Sequence, residues 1–182
     1  MARIPILSRE DLAAEHQDIL ARDITLNRVL ANSPGAARAF DNLGMFIRHR
    51  SRLDPRLREL AILQVGWLAR SPYEWSHHVR IGRDFGLSDS DIAAIGLESE
   101  GRESGLEPLA RQVLRGTREM WHGPGMSAAT FDALRPHLDA GLLTELTVVV
   151  AFYCGVVRLL ATLEVDVEPE YQPLLQEFPL PP

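Results

Sequence analysis

Apolar residues recur every three or four positions along most of this chain, and residues that open helices interrupt them again and again. Ser8 precedes EDLAAEHQDILARDI, which the pattern predicts as a capped first helix. Ser33-Pro34 opens a segment to about Arg48, with Phe40, Leu43 and Ile47 at helical spacing. Asp54-Pro55 opens the next, an Asp cap followed by a Pro whose missing N–H costs nothing in the first turn. That helix, to about Ala69, is apolar nearly all round from Leu60 to Leu68 and should be central. Ser71-Pro72 repeats the device, and Ser88-Asp89-Ser90-Asp91 starts a short helix after Gly86. Pro108 to Trp121 and Ser127 to Leu138 predict two more.

The last and longest apolar helix is expected from about Leu142 to Leu163. Its most apolar run, Leu146 to Val157, is shorter than the roughly 20 residues that span a bilayer. The tail, about residues 165–182, is rich in Pro and acidic residues and is expected to be extended rather than regular helix. Tyr171, Leu174, Leu175, Phe178 and Leu180 give it apolar surface to dock on a neighbour. Strand signals are nearly absent. The expectation is one all-α domain over residues 1–182.

A net charge of −6 argues against a general nucleic-acid binder, which needs a positive surface. All 19 basic residues are Arg, so lysine Schiff-base chemistry is ruled out. Cys154 is the only cysteine, which excludes an intramolecular disulfide or dithiol pair. The start, MARIPILSRE, lacks the apolar core of a signal peptide. A cytoplasmic protein without membrane or nucleic-acid partners is expected.

The stretch SPYEWSHH, Ser71 to His78, is the most informative. Ser71 and Glu74 have capping-box spacing, and on that reading Glu74 only folds back to the Ser71 amide. The helical wheel speaks against so plain a role. At 100° per residue Glu74, His78, Ile81 and Phe85 share one arc, so a carboxylate and an imidazole sit on an apolar face. Tyr73 and His77 border that arc. Glu59 is a third polar intruder, on the face of Ile62, Leu63 and Gly66, and Gly66 lets another backbone approach. A carboxylate beside an imidazole in a semi-apolar pocket is an acid–base device. A metal is not expected, since adjacent His77 and His78 diverge on a helix and no HExxH is present. Arg48, Arg50, Arg52, Arg56 and Arg58 crowd the approach to the Asp54 helix, where they read either as a solvated, salt-bridged face or, more sharply, as an electropositive rim for a carboxylated substrate.

The run LRELAILQVGWLARSPYEWSHHVRIGRDFGLSDSDIAAI resembles the core of the carboxymuconolactone decarboxylase family, which includes the alkylhydroperoxidase D group. The resemblance covers about residues 54–95 and implies an all-α alkylhydroperoxidase-like domain. The family's peroxidase branch carries Glu-x11-Cys-x2-Cys-x3-His, which here reads Glu59, Ser71, Glu74, His78. Both thiols are gone, and the chain is similar to the decarboxylase branch with its Glu-x3-His element.

The resemblance implies cofactor-free acid–base chemistry, decarboxylation or isomerisation, on a small carboxylated or lactone-like compound. Glu74 and His78 are the expected proton shuttle, Glu59 orients the His, and Tyr73 or His77 adds a hydrogen bond. Ser71 and Arg58 are the expected substrate contacts. The resemblance also implies trimers or hexamers. Two alternatives stay open: a thiol-peroxidase antioxidant, disfavoured without CxxC, and a non-catalytic oligomeric binding protein.

Overall fold

A computed structural model describes residues 2–181; Met1 and Pro182, the ends of the expected domain and tail, lie outside the described residues. The helices are α1 (Thr25–Leu30), α2 (Pro34–His49), α3 (Pro55–Leu68), α4 (Pro72–Asp84), α5 (Asp89–Ser99), α6 (Pro108–His122), α7 (Ala128–Leu134), α8 (Ala140–Leu163) and α9 (Gln172–Glu177). No strand occurs among the described residues. The fold is all-α.

Helix α3 is the hub, packed against α4, α5, α6 and α8. Every residue from Leu57 to Gly66 is buried, which is why this stretch is apolar nearly all round. Helix α4 runs antiparallel to it through two close approaches. A Cβ on Gly66 would lie 3.4 Å from the Trp75 backbone nitrogen, and one on Gly82 3.7 Å from Glu59 Cβ and 3.2 Å from Leu87 Cδ2. Gly66 lets the two backbones come close, and Gly82 leaves room for the side chains of Glu59 and Leu87.

Four expectations need correction. The first helix is not α-helical: it breaks into 3-10 turns at Arg9–Asp11 and Ala14–Ala21, ahead of α1. Ser8 and Asp11 do close a capping box, with Ser8 N donating to Asp11 Oδ2 at 2.7 Å. The turn then stops at Leu12, whose backbone is extended, and Leu20 is the only buried residue of these turns. So little buried apolar surface cannot sustain a helix. Helix α7 ends at Leu134, short of Leu138, because Pro136 cannot continue it.

The other two corrections concern the C-terminal part. The flanks of the apolar run continue α8 to 24 residues with a mean hydropathy of 2.1, long enough by length and composition to cross a bilayer. One face, including Leu146, Val149, Tyr153 and Val157, is spent on the core, and much of the rest stays uncovered. The tail is not wholly extended. It forms a 3-10 turn, Pro169–Tyr171, and then α9, with a proline in the first turn of each, where it is tolerated. It also docks on its own chain. Trp75 Nε1 donates to the Phe178 carbonyl at 2.8 Å, Arg83 pairs with Glu177, and the Arg80 guanidinium lies 5.5 Å from the Tyr171 ring centre.

Deleting the chain after Asp166 should therefore cost on the order of 2–4 kcal/mol, the worth of a few buried hydrogen bonds, and expose apolar surface on α4. Thermal melting with a hydrophobic dye checks this. A truncated protein that melts like the full chain would show that the tail contributes nothing.

Candidate functional site

Helix α4 starts as the sequence predicts. Ser71 Oγ accepts from the Glu74 amide at 3.4 Å, the ordinary work of an N-cap. The reciprocal half of the capping box is missing, because the Ser71 amide donates to the Gly66 carbonyl at 3.0 Å instead. The Glu74 carboxylate is thus left for another role.

That role is visible one turn on. His78 Nδ1 lies 2.7 Å from Glu59 Oε2, and His78 Nε2 lies 3.1 Å from Glu74 Oε1. An imidazole from α4 bridges a carboxylate of α3 and one of its own helix. The relative exposures are 1% for Glu59, 4% for Glu74 and 5% for His78, so water screens little of this. Arg58, itself buried, donates from Nε to Glu59 Oε1 at 3.0 Å, from Nη1 to the Arg48 carbonyl at 3.1 Å, and stacks over Phe85 at 4.4 Å.

The two carboxylates differ electrostatically. Burial alone would raise the Glu59 pKa, but the charge and hydrogen bond of His78, with those of Arg58, outweigh it and hold Glu59 below the usual carboxylate value. Burial also raises Glu74; here His78 offsets only part, Glu59 adds repulsion, and the net shift is upward. Glu74 Oε1, close to Nε2 but out of line for a hydrogen bond, has no hydrogen-bond partner. One carboxylate is held ionised and the other is poised to carry a proton, an arrangement that separates acid and base roles.

Glu74 and His78 line a small cavity of about 60 Å³ with Tyr73, His77, Tyr153, Arg22 and Arg48, among others. Tyr153 meets the His78 ring edge-on at 5.1 Å. Burial, then the nearby carboxylates, push its hydroxyl well above the usual value, so it stays a neutral donor. Crowding by protein, then the like charge of Arg48, lowers the Arg22 pKa, although Arg22 keeps an exposed edge. Neither arginine side chain forms an ion pair or hydrogen bond among the described residues, which leaves both open to an anion.

The expected site residues therefore divide. Glu59, Glu74 and His78 come together. Tyr73 and His77 border the cavity, but their polar ends turn to Glu168 of the tail: His77 Nε2 is 2.7 Å and the Tyr73 hydroxyl 3.1 Å from its carboxylate. Burial drives His77 to about 4 against the pull of Glu168, so it is neutral near pH 7. Ser71 is not in the cavity and serves as a cap. Arg58 cannot reach a substrate, because Glu59 and the Arg48 carbonyl occupy it. Of the arginine rim only Arg48 lines the cavity; Arg52 and Arg56 pair with Asp139 and Asp91. Arg22, Tyr153 and Glu168 were not singled out by sequence. Each carries only a weak signal there, in a surface-like helix, an apolar run and an acidic tail.

Among the described residues no three His, Cys, Asp or Glu side chains form a cluster able to hold a metal ion. Among curated proteins none matches the chain. Several solved structures share its fold, among them the following three. A peroxidase-related protein from Ralstonia eutropha JMP134, described as an alkylhydroperoxidase AhpD core, is 19% identical, with TM-score 0.79 over 93% of this chain and 94% of that one. The debrominase Bmp8, solved as a cysteine-to-alanine variant with 2,3,4-tribromopyrrole, is 16% identical, with TM-score 0.78 over 97% and 99%. A protein of unknown function from Agrobacterium tumefaciens, a putative antioxidant defence protein AhpD, is 18% identical, with TM-score 0.68 over 76% and 94%. The model of the carboxymuconolactone decarboxylase family matches residues 34–100, from α2 to the end of α5, where Glu59, Glu74 and His78 all lie. Over residues 34–100 the chain is similar to the carboxymuconolactone decarboxylase family, and over most of its length it shares the fold of the alkylhydroperoxidase AhpD core protein.

Proposed function

We propose that the protein carries out cofactor-free acid–base chemistry, decarboxylation or isomerisation, on a small carboxylated or lactone-like compound. The observation that carries the reading is the buried line Glu59–His78–Glu74 ending at a cavity with two arginines that have no ion-pair partner among the described residues. Arg22 and Arg48 take the substrate's carboxylate. Glu74 gives a proton to the reacting carbon or removes one, and His78 Nε2 receives or returns it. Glu59, held by Arg58, keeps the Nδ1 proton in place, so that Nε2 remains the exchanging nitrogen. In a decarboxylation, the electron pair left when carbon dioxide departs takes its proton from Glu74. In an isomerisation, the same pair of groups removes a proton at one carbon and returns it at another. Tyr153 faces the cavity as a donor to developing negative charge.

Thiol peroxidase chemistry is disfavoured. Cys154 does not line the cavity, and burial raises its pKa, which suppresses the thiolate. The uncovered side of α8 supports a homo-oligomer, trimer or hexamer. The proposed setting is cytoplasmic, and the net charge of −6 speaks against a nucleic-acid partner.

Two outcomes are expected. Turnover of a panel of small carboxylated lactones and keto acids, followed by NMR, should fall about a hundredfold in Glu74→Gln and in His78→Asn. The double variant should be scarcely worse, since groups acting as a unit are non-additive. Because the Glu74 pKa is raised on folding, its contribution to stability is lost as the pH rises through that value. Glu74→Gln should therefore stabilise the fold by about 1–2 kcal/mol at neutral pH. That gain should fade as the pH falls toward the usual 4.5. Wild-type rates in Glu74→Gln, or turnover only of a hydroperoxide with a dithiol donor, would sink the reading. Light scattering at micromolar concentration should give the mass of a trimer or hexamer, and a monomeric mass would refute the assembly.

A further inference from the structure

Several polar groups of the cavity wall outside the Glu59–His78–Glu74 line converge on one carboxylate of the tail. Glu168 Oε1 accepts from the Thr25 amide at 2.6 Å and from the Tyr73 hydroxyl at 3.1 Å. Its Oε2 lies 2.7 Å from His77 Nε2. The Tyr73 hydroxyl in turn accepts from the Leu26 amide at 3.2 Å. The His77 ring is stacked between Tyr73, at 4.2 Å, and Tyr171, at 3.7 Å. One side chain thus ties the tail to α4 and both to the N-terminal segment, at the first turn of α1.

That segment matters to the site because it supplies a wall of the cavity through Arg22, Ile24, Leu26 and Asn27. It consists of 3-10 turns and the six residues of α1, too short to keep its shape unaided. Arg22 stands between the inner cavity and a second hollow of about 220 Å³ between this segment and α2; the two also share Asn27, Asp41 and Met45. Any ligand that enters from this side passes Arg22. The Thr25 amide, three residues further on, is the group that Glu168 holds.

We infer that Glu168 is a positioning residue for substrate: it clips the N-terminal segment to α4 and thereby fixes Arg22 at the mouth of the catalytic cavity. The inference rests on the acid–base reading of that cavity and assigns the tail a part in it. A carboxylate suits the task, because it accepts from all three donors at once and donates to none. Release of the clip frees Arg22 without disturbing Glu59, Glu74 or His78, none of which bonds to Glu168.

The test uses the full chain, with Glu168→Met, which keeps bulk but removes both acceptors. Hydrogen exchange read by mass spectrometry should accelerate at least tenfold in residues 14–30 and stay unchanged in α3. Malonate serves as the anion probe, with binding followed by NMR of the arginine side chains. Arg22→Gln should weaken it about tenfold, as expected for one charge-assisted hydrogen bond. Glu168→Met should weaken it to a similar degree, and the double variant no more than Arg22→Gln alone, because Glu168 acts through Arg22. A merely structural role would give additive losses and overturn the inference, as would unchanged exchange in residues 14–30. Malonate that fails to bind the wild type would remove the carboxylate part of the functional reading, and exchange would then decide the clip alone. Should Glu168→Met not fold, Thr25→Pro deletes only the amide donor, at a first-turn position where proline is tolerated, and the same pattern is expected.

Discussion

An ionised carboxylate stays in a helical core only if its charge is answered there, and this site follows from the way Glu59 is answered. Arg58 takes one oxygen and His78 takes the other. His78 and then Arg58 keep Glu59 charged, and the His78 bond also fixes the imidazole's orientation and aims Nε2 at Glu74. Glu74 is then a second carboxylate at the same imidazole, buried, repelled by the first and without a hydrogen bond at Oε1. Its readiness to hold a proton comes first from burial, with the repulsion of the charged Glu59 added.

Backbone packing sets the distances. The close contacts at Gly66 and Gly82 bring α3 and α4 near enough for side chains of ordinary length to meet. The hub position of α3 leaves those helices little room to part, since α5, α6 and α8 hold its other sides. The cavity wall opposite is less constrained. It is built from the N-terminal segment and α2, and the tail reaches across through Glu168 to secure it. The rigid line Glu59–His78–Glu74 thus faces a wall that carries Arg22 and Arg48 and is assembled from shorter, separately fastened pieces.

Much of this was legible in the sequence. Prolines and caps marked α2 through α6, because a Pro or an N-cap residue in a first turn has a local physical cause that packing does not override. The convergence of Glu59, Glu74 and His78 could be read because ionisable residues on an apolar arc must be paired or used. What escaped was non-local. Arg58 has rim-like neighbours in sequence, yet its position beside Glu59 turns it inward. Glu168 looks like any acidic tail residue until the tail folds back over α4. The first helix failed because its capping signals were real while the buried surface to sustain it was not.

The account depends most directly on the state of Glu74. Carbon-13 NMR of its side-chain carboxyl, titrated in the wild type and in His78→Asn, measures that state without any substrate. The account predicts a wild-type midpoint above the usual 4.5, rising further in His78→Asn, because the imidazole's charge opposes the effect of burial. A Glu74 that titrates like a carboxylate in water, or one indifferent to the loss of His78, would contradict it.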